Sequence, residues 1–122
     1  MKAILIIASV LLLSYAGYRT YRYATMTKGL DKLIERGAVI LDVRTPQEYA
    51  TGHIAGSVNI SLGAIRERYT ELDTATTYIT VCSHGLRSVK VQQLLQERGF
   101  RHVYNGGAWA DLEQMIKASA MK

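Results

Sequence analysis

Residues 76–88, TTYITVCSHGLRS, decide the reading of this chain. The first seven, TTYITVC, are β-branched and aromatic, a composition that predicts a strand. SHGLR at 83–87 is a short loop, and from Ser88 to Glu97 the apolar positions Val89, Val91, Leu94 and Leu95 recur at helical spacing until Gly99 ends the run. A strand that ends on Cys82 and turns into a helix puts a thiol beyond the carboxyl end of the strand. Open α/β sheets bind their ligands there, often against a helix N-terminus.

The flanking sequence repeats this alternation. AVILDVR at 38–44 is a continuous apolar run, the pattern of a strand buried on both faces. Before it, GLDKLIER at 29–36 follows Thr27 and forms a short helix that Gly37 stops. After it, Pro46 opens a brief helix ended by Gly52, Ser57–Ile60 forms a second short strand, and GAIRERY at 63–69 a surface helix. RHVY at 101–104 is the last strand, Gly106 and Gly107 a turn, and Ala108–Lys117 the last helix. Strands alternating with helices predict an α/β fold with a central, mostly parallel sheet flanked by helices.

The N-terminus is different in kind. Residues 3–18, AILIIASVLLLSYAGY, carry no charge and lie between Lys2 and the pair Arg19 and Arg22. Sixteen helical residues span about 24 Å, and snorkelling basic stems with interfacial Tyr15, Tyr18, Tyr21 and Tyr23 cover the shortfall against a bilayer core. The expected organisation is a hydrophobic segment at 1–23 forming one transmembrane helix, a tether at 24–28 and a domain at 29–122. A lipid bilayer is then a partner. The competing reading is a cleaved export signal with an apolar core at Ala3–Leu13 and a cut after Ala16 in Ser14-Tyr15-Ala16. Basic residues following the segment (Arg19, Arg22, Lys28, Lys32 and Arg36) favour a cytoplasmic domain; an exported or periplasmic one is the alternative.

Composition narrows the chemistry. The 122 residues hold 15 Lys and Arg against 10 Asp and Glu, a formal charge of +5. Lys2, Arg19 and Arg22 precede residue 24, so the remainder is nearly balanced and lacks the clustered basic face of a nucleic-acid binder. One cysteine excludes an intramolecular disulfide and a thiolate-rich metal site, and the dispersed His53, His84 and His102 make no recognisable zinc site. Neither a metal nor a cofactor is expected.

Function therefore rests on one thiol. Gly85 lets the loop close so that backbone N–H groups turn inward as an anion nest, and with the following helix and Arg87 they favour thiolate over thiol. Four residues separate Cys82 from Arg87. Thiol-dependent phosphatases place five there around a tetrahedral phosphoryl group. The shorter ring favours a smaller guest, such as the outer sulfur of a persulfide.

LDVRTPQEYATGHIAGSVNI at 41–60, CSHGLRS at 82–88 and YNGGAWA at 104–110 together resemble the single-domain rhodaneses, over about residues 27–117. The resemblance implies the rhodanese-like α/β fold and a sulfurtransferase in which Cys82 is the sulfur-accepting nucleophile. Thiosulfate or a persulfide would be the donor, and cyanide or a thiol, a protein thiol included, the acceptor. Ser83, His84, Gly85, Leu86, Arg87 and Ser88 would form the anion-binding loop, with Arg87 attracting the donor or holding a purely structural ion pair, His84 as a polar edge at the rim or an exposed residue with no essential task, and Ser88 capping the helix. Asp42 and Arg44 are expected to tie a strand end to the next loop, or Asp42 to orient Arg87. His53 is expected as a partly buried link between loops, or as an acid–base group, and Gly106, Gly107 and Trp109 as a wall beside the pocket. A non-turnover persulfide carrier or protein-binding module is the second hypothesis, and a phosphatase or arsenate reductase the third.

Overall fold

In the computed structural model the described residues are 1–27 and 29–120, with side chains described for 1–21 and 29–120. Helix α1 (Lys2–Thr27) is followed by α2 (Leu30–Glu35), β1 (Val39–Asp42), α3 (Pro46–Ala50), β2 (Val58–Asn59) and α4 (Ile65–Arg68) with a 3-10 turn at Tyr69–Glu71. Then come β3 (Tyr78–Cys82), α5 (Leu86–Glu97), β4 (Val103–Ala108) and α6 (Trp109–Ala120). The four strands form one parallel sheet in the order β2-β1-β3-β4.

The two continuous apolar runs lie at the centre of that sheet, as their composition requires. On one face Leu41, Val43, Tyr78 and Cys82 pack with Ile65, Val91, Leu95 and Phe100 from the helices and loops above them. On the other, Ile40, Ile79 and Val81 pack with Leu30, Ile54 and Leu112. Neighbouring strand residues thus feed opposite layers, the period-two geometry of a strand covered on both sides.

Three elements depart from the sequence-based expectation. Gly106 and Gly107 are not a turn but the last part of β4, which runs on to Ala108. A Cβ at Gly106 would lie 2.7 Å from Ile79 Cγ2 and 2.9 Å from Val81 Cγ1, so the glycine is what lets the two strands approach. The pairing also shifts register between Thr80 and Val81, and Gly107 takes up a φ of 73° there. Second, α5 begins at Leu86, with Gly85 at its N-cap in the left-handed region (φ 94°), so Ser88 lies inside the first turn instead of capping it. Third, residues 24–27 of the expected tether continue α1, while Lys28 lies outside the described residues.

Lys2–Tyr21 of α1 is long and apolar enough to cross a membrane by length and composition, about 30 Å at 1.5 Å per residue. Its apolar side chains, Ile4 through Leu13, stand exposed in the isolated chain.

Replacing Gly106 by Ala forces a methyl against Ile79, Val81 and the Thr80 carbonyl oxygen and is expected to cost about 1–3 kcal/mol. The same change at Gly63, where nothing lies within 4 Å, is expected to be near neutral. Denaturant unfolding of the two variants measures the difference.

Candidate active site

Cys82 ends β3 with only 1% of its surface exposed, its side chain on the α5 face of the sheet. Burial alone disfavours a thiolate. The loop supplies the opposing influence: with Gly85 in its left-handed conformation, the chain turns back so that the Gly85 N–H donates to Sγ at 2.9 Å. Burial pushes the thiol pKa up, but the Ser88, His84 and Gly85 N–H groups and the Ser88 hydroxyl outweigh it, and the thiol lies below its ordinary value.

Ser88 is buried and has one hydroxyl proton. Asn105 Oδ1 lies at 2.7 Å from its oxygen, the Gly85 carbonyl oxygen at 3.0 Å and Cys82 Sγ at 3.6 Å. A thiol can donate to this oxygen, and a thiolate can accept from it. The hydroxyl therefore adapts to either ionisation state without leaving its place. Its carbonyl oxygen accepts from the buried Thr80 hydroxyl at 2.9 Å, which pins the first turn of α5 to β3. The Gly107 N–H donates to Asn105 Oδ1 and holds that amide in turn.

Arg87 is held at the mouth by a partner that the sequence reading did not single out. Its Nη1 and Nη2 donate to Glu48 Oε1 and Oε2 at 2.7 and 2.9 Å, a bidentate pair. The Ser83 hydroxyl donates to the same carboxylate at 3.0 Å. Arg87, then the Thr45 N–H, hold the Glu48 carboxyl far below the usual carboxylate range. The only local signal was Thr45-Pro46-Gln47-Glu48, which has the form of a capping box; Thr45 and Glu48 do make that box, and the reach across to the loop is additional.

Asp42 does not orient Arg87. Its carboxylate accepts from the Arg44 backbone N–H, Nε and Nη2, the last at 2.7 Å, with both side chains buried. Arg44 also donates to the carbonyl oxygens of Glu48 and Gly52, and the Asn59 amide donates to those of Asp42 and Arg44. The pair thus ties β1 to α3, to the turn that follows it and to β2, the expected structural tie. Losing either member strands a buried charge, a defect costing about 3–5 kcal/mol.

Trp109 lies under Arg44, its ring centroid 4.7 Å from the guanidinium carbon, and against Gly52. It is thus a platform for the tie. His53 is exposed, not partly buried: it stacks on Tyr49 at 3.7 Å and its Nδ1 donates to the Tyr49 carbonyl oxygen, while the Tyr49 hydroxyl donates to that of Ser57. Leu86, expected on the loop, is instead the first residue of α5 and is 73% exposed. A cavity of about 830 Å³ opens beside Ser83 and His84, and α1 and the start of α6 complete its lining.

Comparison with known proteins agrees with this geometry. The family described as the rhodanese-like domain matches residues 26–110. Thiosulfate sulfurtransferase PspE of Escherichia coli is 34% identical over 59% of this chain and 71% of its own length. Thiosulfate sulfurtransferase GlpE of Pseudoalteromonas translucida is 34% identical over 73% of this chain and 89% of its own. Among solved structures, a rhodanese with anions from E. coli superposes with a TM-score of 0.57 at 34% identity, over 62% of this chain and 91% of that one. A rhodanese-related protein from Thermoplasma volcanium gives 0.61 at 28% identity, over 76% and 88%. With a family match across most of its length and a buried cysteine under a glycine-closed loop at the end of a parallel strand, this chain belongs to the rhodanese-like family.

Proposed function

We propose that the chain is a sulfurtransferase that carries sulfane sulfur on Cys82 at a membrane surface. The observation that carries this reading is the Gly85 N–H donating to a buried Cys82 Sγ, with only four residues between Cys82 and Arg87. The two sulfurtransferase relatives are named for thiosulfate, and thiosulfate or a persulfide is the donor proposed here.

In the first half-reaction the Cys82 thiolate attacks the outer sulfur of thiosulfate. A new S–S bond forms to Cys82, the bond between the two donor sulfurs breaks, and its electron pair leaves with sulfite. The terminal sulfur of the resulting persulfide anion occupies the ring where the inward N–H groups lie. In the second, cyanide or a thiolate attacks that terminal sulfur, and the electron pair returns to Cys82 as thiolate. Because Cys82 is the chain's one cysteine, no second thiol of the same chain can discharge the persulfide, and the acceptor is external. A phosphatase reading is disfavoured by the same geometry: the loop is short, and its arginine is committed to Glu48.

The membrane part of the proposal rests on α1, whose span from Lys2 to Tyr21 meets the length and composition of a crossing helix. The basic residues that follow it favour a cytoplasmic domain.

Brief exposure to thiosulfate is expected to add about 32 Da, one sulfur, at Cys82, read by intact mass spectrometry. Cys82→Ser is expected to lose both the adduct and thiocyanate formation while keeping its fold; activity in that variant rejects the mechanism. The alkylation rate of Cys82 is expected to rise with pH and reach half its plateau below the midpoint of an unstructured cysteine peptide measured alongside, because only the deprotonated form reacts. A midpoint at or above that value contradicts a thiolate-stabilising loop. Full-length protein is expected to stay with membranes through alkaline carbonate extraction, and its release into the supernatant would remove the anchor from the proposal.

A further inference from the structure

Arg87, at the start of α5, and Arg44, just after β1, are both already neutralised. Arg44 ends on Asp42 and Arg87 on Glu48. A thiosulfate dianion approaching a thiolate therefore meets backbone N–H dipoles, but no net positive side chain from these two pairs. The cavity beside the loop offers a different cation. It is lined from α1 by Tyr15, Tyr18 and Arg19, from the loop by Ser83 and His84, and from the first turn of α6 by Asp111. Arg19 is exposed and, among the described residues, makes no ion pair. Its charge is available to a guest of the cavity; Ser83 and His84, which also line it, directly follow Cys82 in the chain, and the His84 N–H is one of the groups that hold the thiol.

We propose that Arg19 is the substrate-positioning cation of this site, receiving the anionic sulfur donor at the mouth of the Cys82 loop. The membrane-length helix is then part of the binding surface as well as an anchor. This inference takes the identity of the donor from the sulfurtransferase reading, but the charge selection itself rests only on the cavity and its lining. Asp111 lines the same cavity and opposes an anion. Its neutralisation acts in the same direction as strengthening Arg19, and removal of Arg19 leaves a cavity that repels the donor.

Because the chain has one cysteine, the charge selection can be read without sulfur transfer. Cys82 of the full-length protein in detergent micelles is alkylated in parallel with iodoacetate, which is anionic, and iodoacetamide, which is neutral. Arg19→Gln is expected to slow the iodoacetate reaction about five-fold while leaving the iodoacetamide rate unchanged, as loss of a local attractive field requires. Arg19→Lys is expected to restore the ratio, and Asp111→Asn to move it in the opposite direction from Arg19→Gln. The KM for thiosulfate is expected to rise in Arg19→Gln by a similar factor with kcat unchanged. An unaltered ratio in Arg19→Gln, or equal slowing with both reagents, overturns the proposal. A ratio that shifts as expected in a protein that forms no persulfide from thiosulfate supports the anion-selecting cavity and overturns the sulfurtransferase reading instead.

Discussion

The buried Asp42–Arg44 pair is the constraint on which the active-site edge of this molecule depends. Two charges withdrawn from water are tolerable only when every remaining donor and acceptor is met, and here the guanidinium spends its other N–H groups on the carbonyl oxygens of Glu48 and Gly52. Those oxygens lie in the middle of the five-residue helix α3 and just past its C-cap. A helix so short has little stability of its own, so its position is set by its capping box and by this arginine. The Asn59 amide joins β2 to the same centre, and Trp109 closes it from below.

From α3 the constraint passes to the loop. Glu48 caps its own helix with one set of contacts and grips Arg87 and Ser83 with another. The Cys82 loop is thereby fastened at both ends: Ser83 and Arg87 to Glu48, and the first turn of α5 to Thr80 and Asn105 through Ser88. What lies between is a segment whose N–H groups are free to face inward. This arrangement explains why a thiol with almost no exposed surface still has its pKa lowered. Fixed dipoles that need no reorganisation replace the water that would otherwise solvate the anion. The Arg87 charge is matched by Glu48 at the same place.

Much of the sheet was legible in sequence because the signals are local. AVILDVR and TTYITVC are apolar and β-branched over lengths that suit a buried strand, and the apolar residues from Val89 to Leu95 repeat at helical spacing. The same local rules misread Gly106-Gly107, since two glycines mark a turn unless something presses on them, and what presses here is the side-chain layer of β3, distant in sequence. Ser88 was misplaced as a cap for a related reason. The left-handed Gly85 starts the helix two residues earlier, and a hydroxyl inside a first turn looks the same in sequence as one in front of it.

The sequence by itself determined the class of the fold, the position of a lone thiol at the end of a strand and before a helix, and an uncharged N-terminal run of membrane length. Each follows from short-range periodicity or from residue type, which need no knowledge of partners. Only the tertiary structure decided who pairs with whom. It gave Arg87 to Glu48, 39 positions away, left Asp42 to Arg44, laid Trp109 beneath that arginine, and brought Arg19 of α1 to the cavity beside Ser83. Charge pairing and cavity lining are set by distance in space, and the parallel sheet brings together strand ends that lie far apart along the chain.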